Sequence, residues 1–273
     1  METTARANAA FKMGEQYSLG RILGIWALAA VPMGILSWII FPAVSPDFNS
    51  DPLGAGVTRL LLLLIGLIWL FVLSMIIVRQ EEGDLRWASV KRRLRLNTPR
   101  DPKTGETRRK LWLWVIPFLI GIGVWELALT SYVDGLWVSL LPFFAEPPGY
   151  SLGAFLESQQ MLDRLVGAWW FFALFVVNAI FNTILGEEFL FRGVLLPRME
   201  GVFGRWSWVA NGVLFGFYHL HQPWGIPGSV ISGVFLYAFP TWRFRSTWMG
   251  IIVHSAQSVY FAFLIFGVVS GLA

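Results

Sequence analysis

The stretch LGEEFLFRGVL at 185–195 puts two adjacent glutamates and an arginine into an otherwise apolar run. Charge at membrane depth is costly unless paired or solvated, so such groups usually mark functional sites. All three histidines of the chain, His219, His221 and His254, follow those glutamates. A carboxylate in an apolar site can act as a general base, and a neighbouring imidazole can share a water with it. A second imidazole can donate a hydrogen bond to a developing oxyanion. Those parts suffice to hydrolyse an amide with water as the nucleophile. The chain has no Cys, so a thiol nucleophile, a thiolate metal site and a disulfide are all excluded.

Spacing sorts these residues. Glu188 and Arg192 stand four apart, the spacing of a helical ion pair, which gives them a structural role. Glu187 has no such local partner and is the candidate base. His219 shares a helix face with Asn211 and Phe215, and His254 shares one with Ser258. His221, two residues beyond His219, is expected to face elsewhere, in a rim or structural role. Asn178 and Asn182 suit hydrogen bonds to neighbouring helices. Gly193 and Pro197 are expected to permit a bend.

The elements that position these groups are membrane helices. Of 273 residues, 56% are hydrophobic and 14% charged, against about 25% charged in a soluble domain. Apolar runs at Ile22–Val44, Leu60–Val78, Leu111–Thr130, Gly167–Leu185, Trp206–Leu220, Ile226–Thr241 and Trp248–Val269 predict an all-α polytopic bundle of seven helices. An eighth arises if Leu136–Phe144 enters the bilayer. No cleaved signal segment is evident in the polar N-terminal stretch. Arg79–Lys110 carries 11 Lys/Arg and 5 Asp/Glu, whereas Ser131–Val166 carries one Arg and four Asp/Glu. Positive charge stays cytoplasmic, so the expected order is a cytoplasmic segment 1–21, N-terminal helices 22–130 with the basic cytoplasmic loop 79–110, an extracytoplasmic loop 131–166 and a core at 167–273. The basic loop reads as a topology signal for an inner-membrane protein, with lipids as neighbours and no nucleic acid.

A helix from Gly167 to Arg198 has 32 residues, about 48 Å. Glu187 then lies about 16 Å from its cytoplasmic end, and His219 about 20 Å along the next, antiparallel segment. The two reach similar depth. The stretch LHQPWGIPG at 220–228 carries two prolines and two glycines, predicting a broken or re-entrant region near 221–228. The polar groups should therefore converge on one hydrated pocket in the cytoplasmic half.

With these residues in place, EEFLFRG at Glu187–Gly193 resembles the EExxxR motif of the CPBP family of CAAX-protease and bacteriocin-processing (Abi) membrane proteins. FGFYH at Phe215–His219 matches its FxxxH motif, and HSAQS at His254–Ser258 matches HxxxN except for Ser258 in place of Asn. Order and spacing agree over roughly 167–266. The resemblance implies an intramembrane endopeptidase like the type II CAAX prenyl endopeptidase. Glu187 and His219 would activate water and His254 would donate to the oxyanion, with Glu188, Arg192 and Ser258 in support. The implied partner is a peptide or protein substrate, lipid-modified in the CAAX case. No cofactor is expected; zinc is the alternative, although HExxH is absent. A non-catalytic immunity or regulatory scaffold is a further reading, favoured by Ser258. A transporter would show paired helix breaks in two related halves, and none is seen.

Overall fold

The computed structural model describes residues 15–150 and 159–272. Residues 1–14 of the expected cytoplasmic segment and 151–158 of the expected extracytoplasmic loop lie outside the described residues. The chain folds as an all-α bundle: α1 (Leu19–Val44), α2 (Pro52–Glu82), α3 (Trp87–Arg93), α4 (Arg109–Leu140), α5 (Trp169–Arg198), α6 (Ser207–Tyr218), α7 (226–244) and α8 (Thr247–Val269). Among the described residues no strand forms. One isolated bridge joins Arg100 to Thr107.

Local chemistry fixes the helix ends. The Ser18 hydroxyl accepts the Arg21 amide at 3.2 Å to cap α1. Asp51 accepts the Gly54 amide at 3.0 Å to cap α2, with Pro52 at its first position. Gly83 closes α2 in the left-handed region, at φ 81°.

Helices α1, α2, α4, α5 and α8 are long and apolar enough to cross a membrane, and the chain is a multi-pass integral membrane protein. The other two expected segments form α6 and α7. The 12 residues of α6 rise only about 18 Å. They pack on α7 across the break, which is built from one-turn helices at His219–His221 and Pro223–Gly225. Helix α4 runs on to Leu140, ten residues past the expected boundary at Thr130. Nothing between 131 and 140 breaks a helix, and Leu141, ahead of Pro142, is the first residue pushed out of helical geometry. No separate eighth element forms at Leu136–Phe144: its first residues end α4 and its last make one turn, Pro142–Phe144.

The α6–α7 contact depends on small residues. Gly212 and Gly216, a GxxxG pair, lie against the backbone of Val234 and Val230 respectively. Each stands where a Cβ would run into that backbone, so the two helices approach as GxxxG interfaces do. Replacing Gly216 with Leu is expected to force α6 off α7 and destabilise the fold by about 1–3 kcal/mol. A lowered thermal-unfolding midpoint in detergent checks this.

One end of the bundle is closed by the basic segment. Arg93 is buried; it pairs with Glu81 at 2.5 Å and donates to the carbonyls of Gly193 and Val194 at 3.0 and 3.2 Å. Leu94 and Leu96 are fully buried. The Leu94 carbonyl accepts from the Thr247 hydroxyl at 2.6 Å, and the Arg95 carbonyl from the Thr247 amide at 3.0 Å. Tyr17 joins the same end, donating its amide to the Arg198 carbonyl at 3.0 Å. The expectation of a plain topology signal is therefore incomplete: the loop is also a folded cap. Gly193, expected to permit a bend, makes room for this cap, since a Cβ there would lie 2.9 Å from the Leu94 side chain.

Candidate active site

Helix α5 winds as a π-helix over Phe181–Gly186 and again over Glu188–Leu195. Such wide turns are rare and recur at functional sites. Glu187 sits at their junction. Every residue from Gly186 to Pro197 is buried.

The structure brings Glu187, Glu188, Arg192, His219 and His254 into one cluster. His219 Nε2 lies 4.0 Å from one Glu187 oxygen, and His254 Nε2 lies 4.0 Å from the other. These gaps exceed a direct hydrogen bond but suit one bridging water bonded at about 2.8 Å to each side. The second hydrogen bond of each ring sets its tautomer. His219 Nδ1 is 2.9 Å from the Phe215 carbonyl. A carbonyl only accepts, so Nδ1 carries the proton and Nε2 presents a lone pair toward Glu187. His254 Nδ1 is 3.0 Å from Glu188 Oε1 and donates to that carboxylate.

Glu188 therefore orients His254 while pairing with Arg192 Nη1 at 3.4 Å, both side chains fully buried. The Arg192 guanidinium lies 4.0 Å over the Phe215 ring, a cation–π contact in a desolvated site. Its Nη2 reaches the Gly233 carbonyl at 3.4 Å. Phe215 thus supports the cluster twice, through its carbonyl and through its ring.

Three residues outside the expected site join it: two tyrosines that spacing did not single out, and His221. Tyr237 of α7 stacks on the His254 ring with centroids 4.3 Å apart. The buried Tyr218 hydroxyl lies beside Glu187 and has no other partner. His221 stacks on His219 at 5.4 Å and lines the same cavity, so it does not face elsewhere as expected. The one-turn helix after α6 folds it back against the preceding ring. For Tyr218 the one available signal is its place next to His219; nothing in the sequence signalled Tyr237.

The cluster ends a cavity of about 510 Å³. Its walls include Asn182 of α5, Glu126 and Asp134 of α4, and Gln257 and Ser258 of α8. Counted along the helices, these residues lie on the side of Glu187 and His254 away from the basic cap. The expected pocket in the cytoplasmic half is thus corrected in part. The reactive groups stand in the half nearer the basic end, but the space before them extends the other way, because the cap fills the near side. Asn178 donates to the Leu60 carbonyl of α2 at 3.3 Å, as expected of an interhelical bond. Gln257 is hydrogen-bonded to Glu126, and Ser258 faces the cavity four residues from His254. Among the described residues no group of three or more His, Asp or Glu side chains is arranged to hold a metal ion.

Residues 168–260 match the family model described as type II CAAX prenyl endopeptidase Rce1-like. The matched span runs from the start of α5 into α8 and contains the whole cluster. No curated protein and no solved structure matches the chain.

Proposed function

We propose, from the premise that residues 168–260 belong to the CAAX-protease (CPBP) family, that this chain is an intramembrane endopeptidase using a water activated by Glu187 and His219. The observation that carries this reading is the pair of 4.0 Å gaps joining Glu187 to two imidazoles. A water between Glu187 and His219 Nε2 gives up a proton as its oxygen attacks the peptide carbonyl carbon. Collapse of the tetrahedral intermediate breaks the C–N bond, and the carboxyl of Glu187 returns the proton to the leaving nitrogen.

Tautomers divide the two histidines. His219 Nε2 can only accept, which suits the base side. His254 has its Nδ1–H committed to Glu188, so it donates to an oxyanion from Nε2 only as the imidazolium. Ser258 stands where the family has Asn; its hydroxyl offers a shorter, differently directed donor. Loss of one oxyanion donor costs about 2.7–4 kcal/mol of barrier, so the fit of Ser258 governs the rate. That same residue favours the second reading, a membrane scaffold for immunity or regulation.

The membrane is a bacterial inner membrane with the basic cap on its cytoplasmic side, in keeping with the positive-inside rule. The substrate is a peptide or protein segment that reaches the cavity from the lipid or from the side opposite the cap. A lipid-modified tail fits its apolar walls, which include Leu60, Leu63 and Phe171.

Cleavage products from membranes holding the native protein are expected to vanish with His219→Ala, while folded protein persists at normal levels. Mass spectrometry of the released peptides reads this out. A zinc chelator is expected to leave native turnover unchanged; loss of turnover with chelator, restored by zinc, would favour the zinc-dependent alternative. Full phenotypic rescue by His219→Ala would favour the scaffold.

A further inference from the structure

A second cleft, of about 370 Å³, lies on the capped face, remote from the glutamates. It is lined by Pro102, Glu200, Phe239, Trp242, Arg243 and Arg245. We propose that it binds the phosphate of an anionic phospholipid headgroup through Arg243 and Arg245.

Four observations carry this. Arg243 and Arg245 both line the cleft, and two guanidinium groups that face one cleft suit a single phosphate, whose oxygens accept several charge-assisted hydrogen bonds. Positive charge is also in excess. Glu200 is the one carboxylate in the cleft wall; Asp101, whose charge is felt by Arg243, is not part of that wall and accepts the Lys103 and Thr104 amides at 2.8 and 3.1 Å. Burial pushes the adjacent Arg95 down to about 10, where Glu200 favours its charge and Arg245 opposes it.

The backbone is strained at this place. Among the described residues the non-glycine positions with positive φ are Arg95, at 51°, and Arg245, at 49°. Such strain costs about 1–3 kcal/mol and clusters where a side chain must be aimed. Both are held by hydrogen bonds to their carbonyls: Arg95 from the Thr247 amide at 3.0 Å, and Arg245 from Asn97 Nδ2 at 3.0 Å.

The remaining wall is aromatic. Trp208 packs on Phe239 at 5.1 Å and on Trp242 at 6.3 Å, and continues to the exposed Trp206 at 6.4 Å. Tryptophans of this kind mark the headgroup level of a bilayer, and basic pockets between helices at that level take anionic headgroups. Such a wall gives acyl chains a surface that free phosphate does not use.

Native mass spectrometry of the purified full chain with short-chain phosphatidylglycerol, phosphatidylcholine or inorganic phosphate tests the assignment. Phosphatidylglycerol adducts are expected to exceed phosphatidylcholine adducts about tenfold. Arg243→Gln combined with Arg245→Gln should remove that preference. Arg245→Gly, which relieves the left-handed backbone, keeps a well-folded variant in the series and should lose most of it. Lys91→Gln with Lys110→Gln, exposed on the same face, should leave it intact. Equal loss in the lysine variant would show diffuse attraction and overturn the site. Inorganic phosphate competing as strongly as the lipid would overturn the lipid assignment.

Discussion

Glu187→Gln is expected to lower peptide cleavage about 10³-fold while leaving the folded protein intact. The amide keeps the size of the side chain and its hydrogen bonding, but it cannot take a proton from water, and general-base catalysis contributes about 10²–10⁴-fold. Glu187 forms no ion pair comparable to that of Glu188: beside it stand the Tyr218 hydroxyl and two imidazoles 4.0 Å away. Its removal therefore leaves no strong buried interaction broken. Rates from product quantification, with unfolding midpoints measured on the same preparations, separate chemistry from folding. A variant that cleaves at the native rate would remove Glu187 from the mechanism.

Arg192→Leu should instead act on stability. It strands Glu188 fully buried, with only His254 left as its hydrogen-bonding partner. Breaking one side of a buried pair costs about 3–5 kcal/mol, whereas replacing both sides with apolar groups of similar volume is often neutral. The single variant should accumulate poorly and unfold at markedly lower temperature. Adding Glu188→Leu should recover much of that loss while activity stays low, because His254 then has lost the carboxylate that fixes its tautomer. Detergent unfolding midpoints for the two singles and the double give the coupling directly. Additive effects would mean that the 3.4 Å contact contributes nothing.

Much of the cluster was legible because depth in a membrane can be counted. Rise per residue put Glu187 and His219 at one level, and the structure separates them by 4.0 Å. The i,i+4 reading of Glu188 and Arg192 holds, but it hid the second task of Glu188, which grips His254 from across the bundle. Periodicity ranks neighbours within a helix and is silent about which helix lies opposite. Tyr237 therefore stayed invisible, and Tyr218 looked like one more aromatic. The second role of the basic loop stayed hidden for a different reason: charge counting weighs its arginines and overlooks Leu94 and Leu96, whose burial turns the segment into a cap. The direction of the cavity depended on that cap and could not be counted from either side. Gly212 and Gly216 take their meaning from the partner backbone of α7, which the sequence analysis does not reach.

The wide winding of Glu188–Leu195 has a consequence for how the motif's letters relate to one another. In an ordinary α-helix four residues overshoot a full revolution by about 40°. The broader coil absorbs that excess and stacks the guanidinium more squarely above its carboxylate. The interval between the second glutamate and the arginine is thus matched to the pitch of this particular coil. An inserted or deleted residue that a surface loop would tolerate would here rotate acid and base out of phase.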